Sequence, residues 1–167
     1  MRVYLSSSLA PAEERLLAQL QAAGRLFDIE VTIGRRSWGS LQTLPQDIAQ
    51  AIMDSEVAAF WLLEGGSNLS YVDMEAGFVR NVRPRLPILV VADEAIRPAG
   101  CLEWRDTVSL PRMEPWLAAH KVWQATERVE AALGPDRAGR LRGWLLAGIG
   151  LRVTPAAPAQ ATAEHRS

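Results

Sequence analysis

The sequence predicts an α/β protein with a five-stranded parallel sheet of order 2-1-3-4-5 and helices on both faces. Three observations carry this. Apolar runs that read as strands alternate along the chain with stretches of helical spacing, and such alternation builds a parallel sheet. Two runs, Val57 to Leu63 and the ILVVA stretch within Leu86 to Ala92, are apolar throughout, as strands buried on both faces are. Phe27, Ile29, Val31 and Ile33 alternate with Asp28, Glu30 and Thr32, the pattern of a half-exposed edge strand.

Arg2 to Leu5 is a short β-branched and aromatic run that stops at Ser6-Ser7-Ser8; it is strand 1. Ser8 or a neighbour caps the following helix, with Pro11 near its first turn. Leu16, Leu17, Leu20 and Ala23 form its apolar stripe, and Gly24 is expected to end it in a left-handed cap. After strand 2, Gly34 to Leu44 makes a loop of about ten residues carrying Arg35, Arg36 and Trp38. Usual connections run to roughly two to six, and long loops in compact domains tend to be functional.

Pro45 stands at the first position of a short helix holding Ile48 and Ile52, with Asp47 in its first turn. Strand 3 is Val57 to Leu63, ended by Gly65-Gly66. A helix over about 70–81 follows, with Val72, Ala76, Phe78 and Val79 as its apolar side, and Pro84 and Pro87 stop it. Strand 4 is Leu86 to Ala92, 93–100 is a turn region, and Thr107 to Leu110 is a weak last strand. Pro115 opens a helix with Leu117, Val122, Val129 and Leu133, closed by Gly134-Pro135. The expected domain is therefore 1–134. One more amphipathic helix is expected over 135–152. The tail 153–167 is Pro/Ala-rich, poor in large apolar residues, and reads as disordered.

Composition narrows the function classes. Hydrophobic residues make up 49% of the chain and charged residues 22%, enough for a sizeable core. The net charge of −1 gives no pull toward nucleic acid or an anionic membrane. A single cysteine, Cys101, allows no intrachain disulfide and suits a reducing cytoplasm. The start, MRVYLSSSLAP, lacks the apolar core of a signal peptide, and no apolar run approaches the roughly 20 residues of a membrane helix. Two histidines without HExxH or HxH spacing offer no metal site.

In a sheet of order 2-1-3-4-5 the strand order reverses between strands 1 and 3, and ligands sit at the carboxyl ends there. That places Ser6, Ser7 and Ser8 opposite the segment after strand 3, with Gly66, Ser67, Asn68 and Tyr71. Glu75 follows Tyr71 by four residues, so the two share a helix face. The loop 34–44, with Trp38, can cover the same crevice. An aromatic and a carboxylate suit a ring and a ribose; serine hydroxyls and helix-start amides suit phosphate oxygens. Taken singly these residues have plainer readings. A helical Glu is usually solvated, a serine usually a cap, and Gly-Gly usually a turn.

The run RVYLSSS, then PQDIAQAIMDSEVAAFWLL, SNLSYVDMEAGFV and RPRLPILVV, resembles a TIR domain, especially the bacterial TIR-like proteins of Thoeris antiphage systems. Of the family pattern S-x-[WY]-[VCL]-x-x-E, Tyr71, Val72 and Glu75 are in place, with Leu69 where its serine would stand and Ser67 two residues earlier. The resemblance covers about residues 1–134 and implies a flavodoxin-like, three-layer TIR fold. It also implies NAD as substrate rather than cofactor, cleaved at its N-glycosidic bond with Glu75 as the catalytic residue. Tyr71 would stack on the substrate. The product would be an ADP-ribose-type signal, cyclic or not, made in response to a phage-derived trigger and read by a downstream effector. The loop 34–44 resembles the one such domains use for self-assembly. The first strand lacks the usual FISY-type ending, which weighs against adaptor-type binding. The chain is also similar to nucleoside 2-deoxyribosyltransferases around Glu75-Ala76-Gly77-Phe78, with Asp54 and Asp73 as candidates for their aspartate pair. A non-catalytic TIR scaffold is the third reading.

Overall fold

The computed structural model describes residues 1–8, 14–34, 44–62, 69–103, 107–110 and 114–153. Five strands, β1 (Arg2–Ser7), β2 (Glu30–Ile33), β3 (Val57–Leu62), β4 (Ile88–Asp93) and β5 (Val108–Leu110), form one sheet of order β2-β1-β3-β4-β5. All four pairings are parallel, with Val3 beside both Val31 and Val57, Ala58 beside Ile88, and Val91 beside Val108. The helices are α1 (Glu14–Gly24), α2 (Gln46–Asp54), α3 (Leu69–Val82), α4 (Pro115–Leu133) and α5 (Pro135–Val153).

Strand alternation divides the core in two. Val3 and Leu5 of β1, Val57, Ala59 and Trp61 of β3, and Leu89 and Val91 of β4 join residues of α1, α4 and α5. The intervening residues, Tyr4, Ala58, Phe60, Leu62, Val90 and Ala92, join residues of α2 and α3. Every residue of β3 and β4 is buried, which is why β3 and the first five residues of β4, up to Asp93, read as unbroken apolar runs. The edge strand β2 is buried at Val31 and exposed at Glu30 and Thr32.

The helix beyond Gly134 is built into the first of these layers. Leu141, Trp144, Leu145 and Ile149 of α5 lie in it, and the Trp144 Nε1–H donates to the Leu20 carbonyl at 2.9 Å. Gly134 turns the chain between α4 and α5 at φ 83°, a left-handed conformation that favours glycine. Arg137 pairs with Glu56, and Arg140 with Asp28, fixing the start of α5 to loops at the amino edge of the sheet.

Several local expectations change. Gly24 is right-handed, with φ −53°, and the helix runs on into a 3-10 turn, Arg25–Phe27. The left-handed residue is Asp28, φ 54°, a residue type whose short polar side chain tolerates that conformation. Gly24 is needed instead for close approach: a Cβ there would stand 2.7 Å from Val31 Cγ2 and 2.8 Å from the Ile29 carbonyl oxygen. Phe27 belongs to the turn, so β2 begins only at Glu30. Pro45 caps α2 from outside, one residue earlier than expected, with extended ψ 142°. Leu86 precedes β4, in a turn where its N–H bonds the Arg83 carbonyl at 2.9 Å. Ser8, expected to cap the first helix, stands six residues before α1; the segment 9–13 with Pro11, the middle of the loop 34–44, the Gly65-Gly66 turn and the tail from 154 onward lie outside the described residues.

Candidate functional site at the carboxyl edge of β1 and β3

Glu75 sits on the buried side of α3. Its neighbours on that side, Val72, Ala76 and Val79, are three residues before it, one after and four after, so all four lie on one helical face. That face packs on the sheet, and Glu75 is only 1% exposed. The solvated reading of an isolated glutamate does not hold here. The signal was present in the sequence: a carboxylate placed inside an apolar stripe, not opposite it.

A dehydrated carboxylate needs hydrogen-bond donors. Ser6, the fifth residue of β1 and 2% exposed, supplies one: its hydroxyl donates to Glu75 Oε2. Strand alternation explains the meeting. Ser6 has the parity of Tyr4, which lies in the α2/α3 layer, so the end of β1 aims its hydroxyl at α3. Ser6 also stands beside Phe60 of β3, and this is where the strand order reverses. The site thus joins residues 69 positions apart at the crevice expected of this topology.

The other predicted residues distribute as follows. Tyr71 is half-buried on α3, one turn before Glu75. Ser7 is buried but has the parity of Val3 and Leu5, beside Trp61, so it belongs to the opposite face of the sheet. Ser8 is fully buried, and its N–H donates to the Trp61 carbonyl at 3.1 Å, extending the β1–β3 ladder by one bond. Gly66, Ser67, Asn68 and Trp38 lie outside the described residues. Ser6 and Glu75 thus meet on the α3 side, with Tyr71 one turn away on the same helix, and Ser7 lies on the other face.

Three aspartates can be placed in addition to Glu75. Asp73 Oδ1 accepts the Cys101 N–H at 2.6 Å and pins the 3-10 turn Gly100–Leu102 to α3. Asp54 is exposed at the end of α2, three residues ahead of β3 and so at the amino edge of the sheet, opposite the carboxyl end where Glu75 lies. Asp93, which the sequence reads only as the start of a turn, is 1% exposed at the end of β4, with Oδ1 accepting the Ala95 N–H at 3.3 Å. Cys101 is half-buried and His120 exposed, 3.1 Å from the Gln124 amide. Among the described residues no group of three or more His, Cys, Asp and Glu side chains could hold a metal ion, and no helix is long and apolar enough to cross a membrane.

No family model matches the chain, and no curated protein matches it. Among solved structures it is similar to the TIR domains of the activated Roq1 resistosome directly recognizing the pathogen effector XopQ, over 90% of this chain and 84% of that chain, at 16% identity and a TM-score of 0.41. So distant a likeness says nothing about activity; the parallel α/β architecture rests on the chain's own strand order.

Proposed function

We propose that the chain is a TIR-like enzyme that cleaves the nicotinamide–ribose bond of NAD, with Glu75 as the catalytic carboxylate. The observation that carries this reading is the burial of Glu75 at the strand-order reversal, held by the end of β1. Its chemistry suits a reaction at a ribose carbon. The C1′–N bond breaks with its electron pair passing to the nicotinamide nitrogen, which loses its positive charge. Nicotinamide therefore leaves without needing an acid. Positive charge grows on C1′ and the ring oxygen, and a fixed carboxylate stabilises it or orients the ribose hydroxyls. Water then adds through its oxygen at C1′ and releases a proton, giving ADP-ribose; attack by the adenine of the same molecule gives a cyclic product instead. Tyr71, one turn away, is placed to stack on a ring of the substrate.

The resemblance of SNLSYVDMEAGFV to Thoeris proteins supports the finer reading. There the product is an ADP-ribose-type signal in antiphage immunity, released after a phage-derived trigger or self-assembly through 34–44, and read by a downstream effector. The deoxyribosyltransferase reading needs an aspartate pair near Glu75. Asp54 is at the opposite sheet edge, and Asp73 is bound to the Cys101 backbone.

Purified wild type and Glu75→Gln, each incubated with NAD and separately with deoxyuridine plus a free base, test the proposal by chromatography of products. Gln keeps the size and removes the charge. Loss of one such electrostatic group is expected to slow NAD cleavage by about a hundredfold or more. Equal NAD consumption by the two proteins overturns the mechanism, and base exchange on deoxyuridine moves the assignment to the transferase.

A further inference from the structure

We propose that Ser6 is a positioning residue for Glu75 rather than a substrate ligand. The inference rests on the carboxylate chemistry proposed above, and three features carry it. Both side chains are almost wholly removed from water, at 2% and 1% exposure, so each needs a protein partner. The hydroxyl has one proton to give, and it goes to Glu75 Oε2. The two groups stand on different elements, each rigidly held. Ser6 lies in β1, a strand paired with both β2 and β3, and stands beside Phe60, while Glu75 lies in the buried stripe of α3.

A glutamate side chain has three rotatable bonds, and burial in one stripe with Val72, Ala76 and Val79 confines its stem. The Ser6 hydroxyl fixes one oxygen and with it the direction of the other. An oriented carboxylate is what a developing cation at C1′ requires, because the stabilisation falls steeply when the charge is misplaced. Alanine at position 6 removes that donor while leaving the strand, the ladder and α3 intact. The loss then falls on the transition state and not on substrate binding. A serine that bound the diphosphate would show the reverse, a weaker KM at unchanged kcat.

The test uses the full chain with Ser6→Ala and Ser6→Thr. Ser6→Ala is expected to lower kcat for NAD cleavage by about tenfold to a hundredfold, the usual range for a supporting group behind a reacting one, with KM within about twofold. Ser6→Thr keeps the hydroxyl and is expected to recover most of the rate. Wild-type kcat in Ser6→Ala overturns the proposal. So does a raised KM at unchanged kcat, which would return Ser6 to the substrate, or a Ser6→Thr protein as slow as Ser6→Ala. If the wild type cleaves no NAD either alone or with lysate of phage-infected cells added, the functional reading fails and the pairing is judged by thermal unfolding of Ser6→Ala, Glu75→Gln and the double variant. Non-additive melting shifts support coupling of the two side chains, and additive shifts overturn it.

Discussion

Replacing Gly148 by alanine tests how α5 is joined to the sheet. A Cβ at Gly148 would stand 2.5 Å from Leu20 Cδ2, 2.6 Å from Trp61 Cη2 and 3.0 Å from Trp61 Cζ3. All are well inside van der Waals contact. Trp61 is 1% exposed and rigid, and Leu20 is fully buried, so neither can move aside without disturbing the core. Overpacking of this kind costs about 1–3 kcal/mol. Alanine also favours the helix over glycine by about 1 kcal/mol. The same gain applies at Gly139, on the same helix, where a Cβ would meet nothing within 4 Å. The helix-propensity gain cancels between the two variants, so Gly148→Ala is expected to be less stable than Gly139→Ala by about 1–3 kcal/mol. At about 2–4 °C per kcal/mol for a chain of this size, the melting points differ by roughly 2–12 °C. Equilibrium urea unfolding followed by far-ultraviolet circular dichroism measures the same difference as free energy. If Gly148→Ala is as stable as Gly139→Ala, α5 does not lie against Trp61 as described.

Three further outcomes are expected. Trp144→Ala removes a fully buried ring and its bond to the Leu20 carbonyl, and is expected to cost about 3–5 kcal/mol in urea unfolding. Arg83→Met takes away a guanidinium that donates to the carbonyls of Ile52, Met53 and Ser55 at the end of α2. It should destabilise by about 1–3 kcal/mol, while Arg85→Met, at an exposed position, stays within about 0.5. Asp73→Ala releases the 3-10 turn at 100–102, and the half-buried Cys101 should react about tenfold faster with a thiol reagent, timed by absorbance.

The sheet was legible because each strand announces its own burial. Two runs without a polar residue can lie only in the middle of a parallel sheet, and one alternating run fits only an edge. The order 2-1-3-4-5 then follows from short right-handed crossovers, and it locates the crevice. Local turn geometry was less legible. Gly24 and Asp28 lie four residues apart, and either can end a helix; the left-handed turn falls at Asp28, while Gly24 leaves room for Ile29 and Val31 to pass.

For the site, the sequence by itself supplied Glu75 and Tyr71 as an i,i+4 pair on one face of a helix. It could not say that the carboxylate would be sealed from water, since the same spacing fits a helix end that emerges from the sheet. Nor could it distinguish three adjacent serines. Only the tertiary structure separates them: one-residue alternation sends Ser6 to α3 and Ser7 to the opposite layer, and the register with Phe60 sets Ser6 level with Glu75. The place of α5 was decided in the same way. Its apolar residues predict a helix that must be covered by something, but periodicity does not name the partner. The close approach at Gly148 and the fit of Trp144 under α1 chose the sheet's own core.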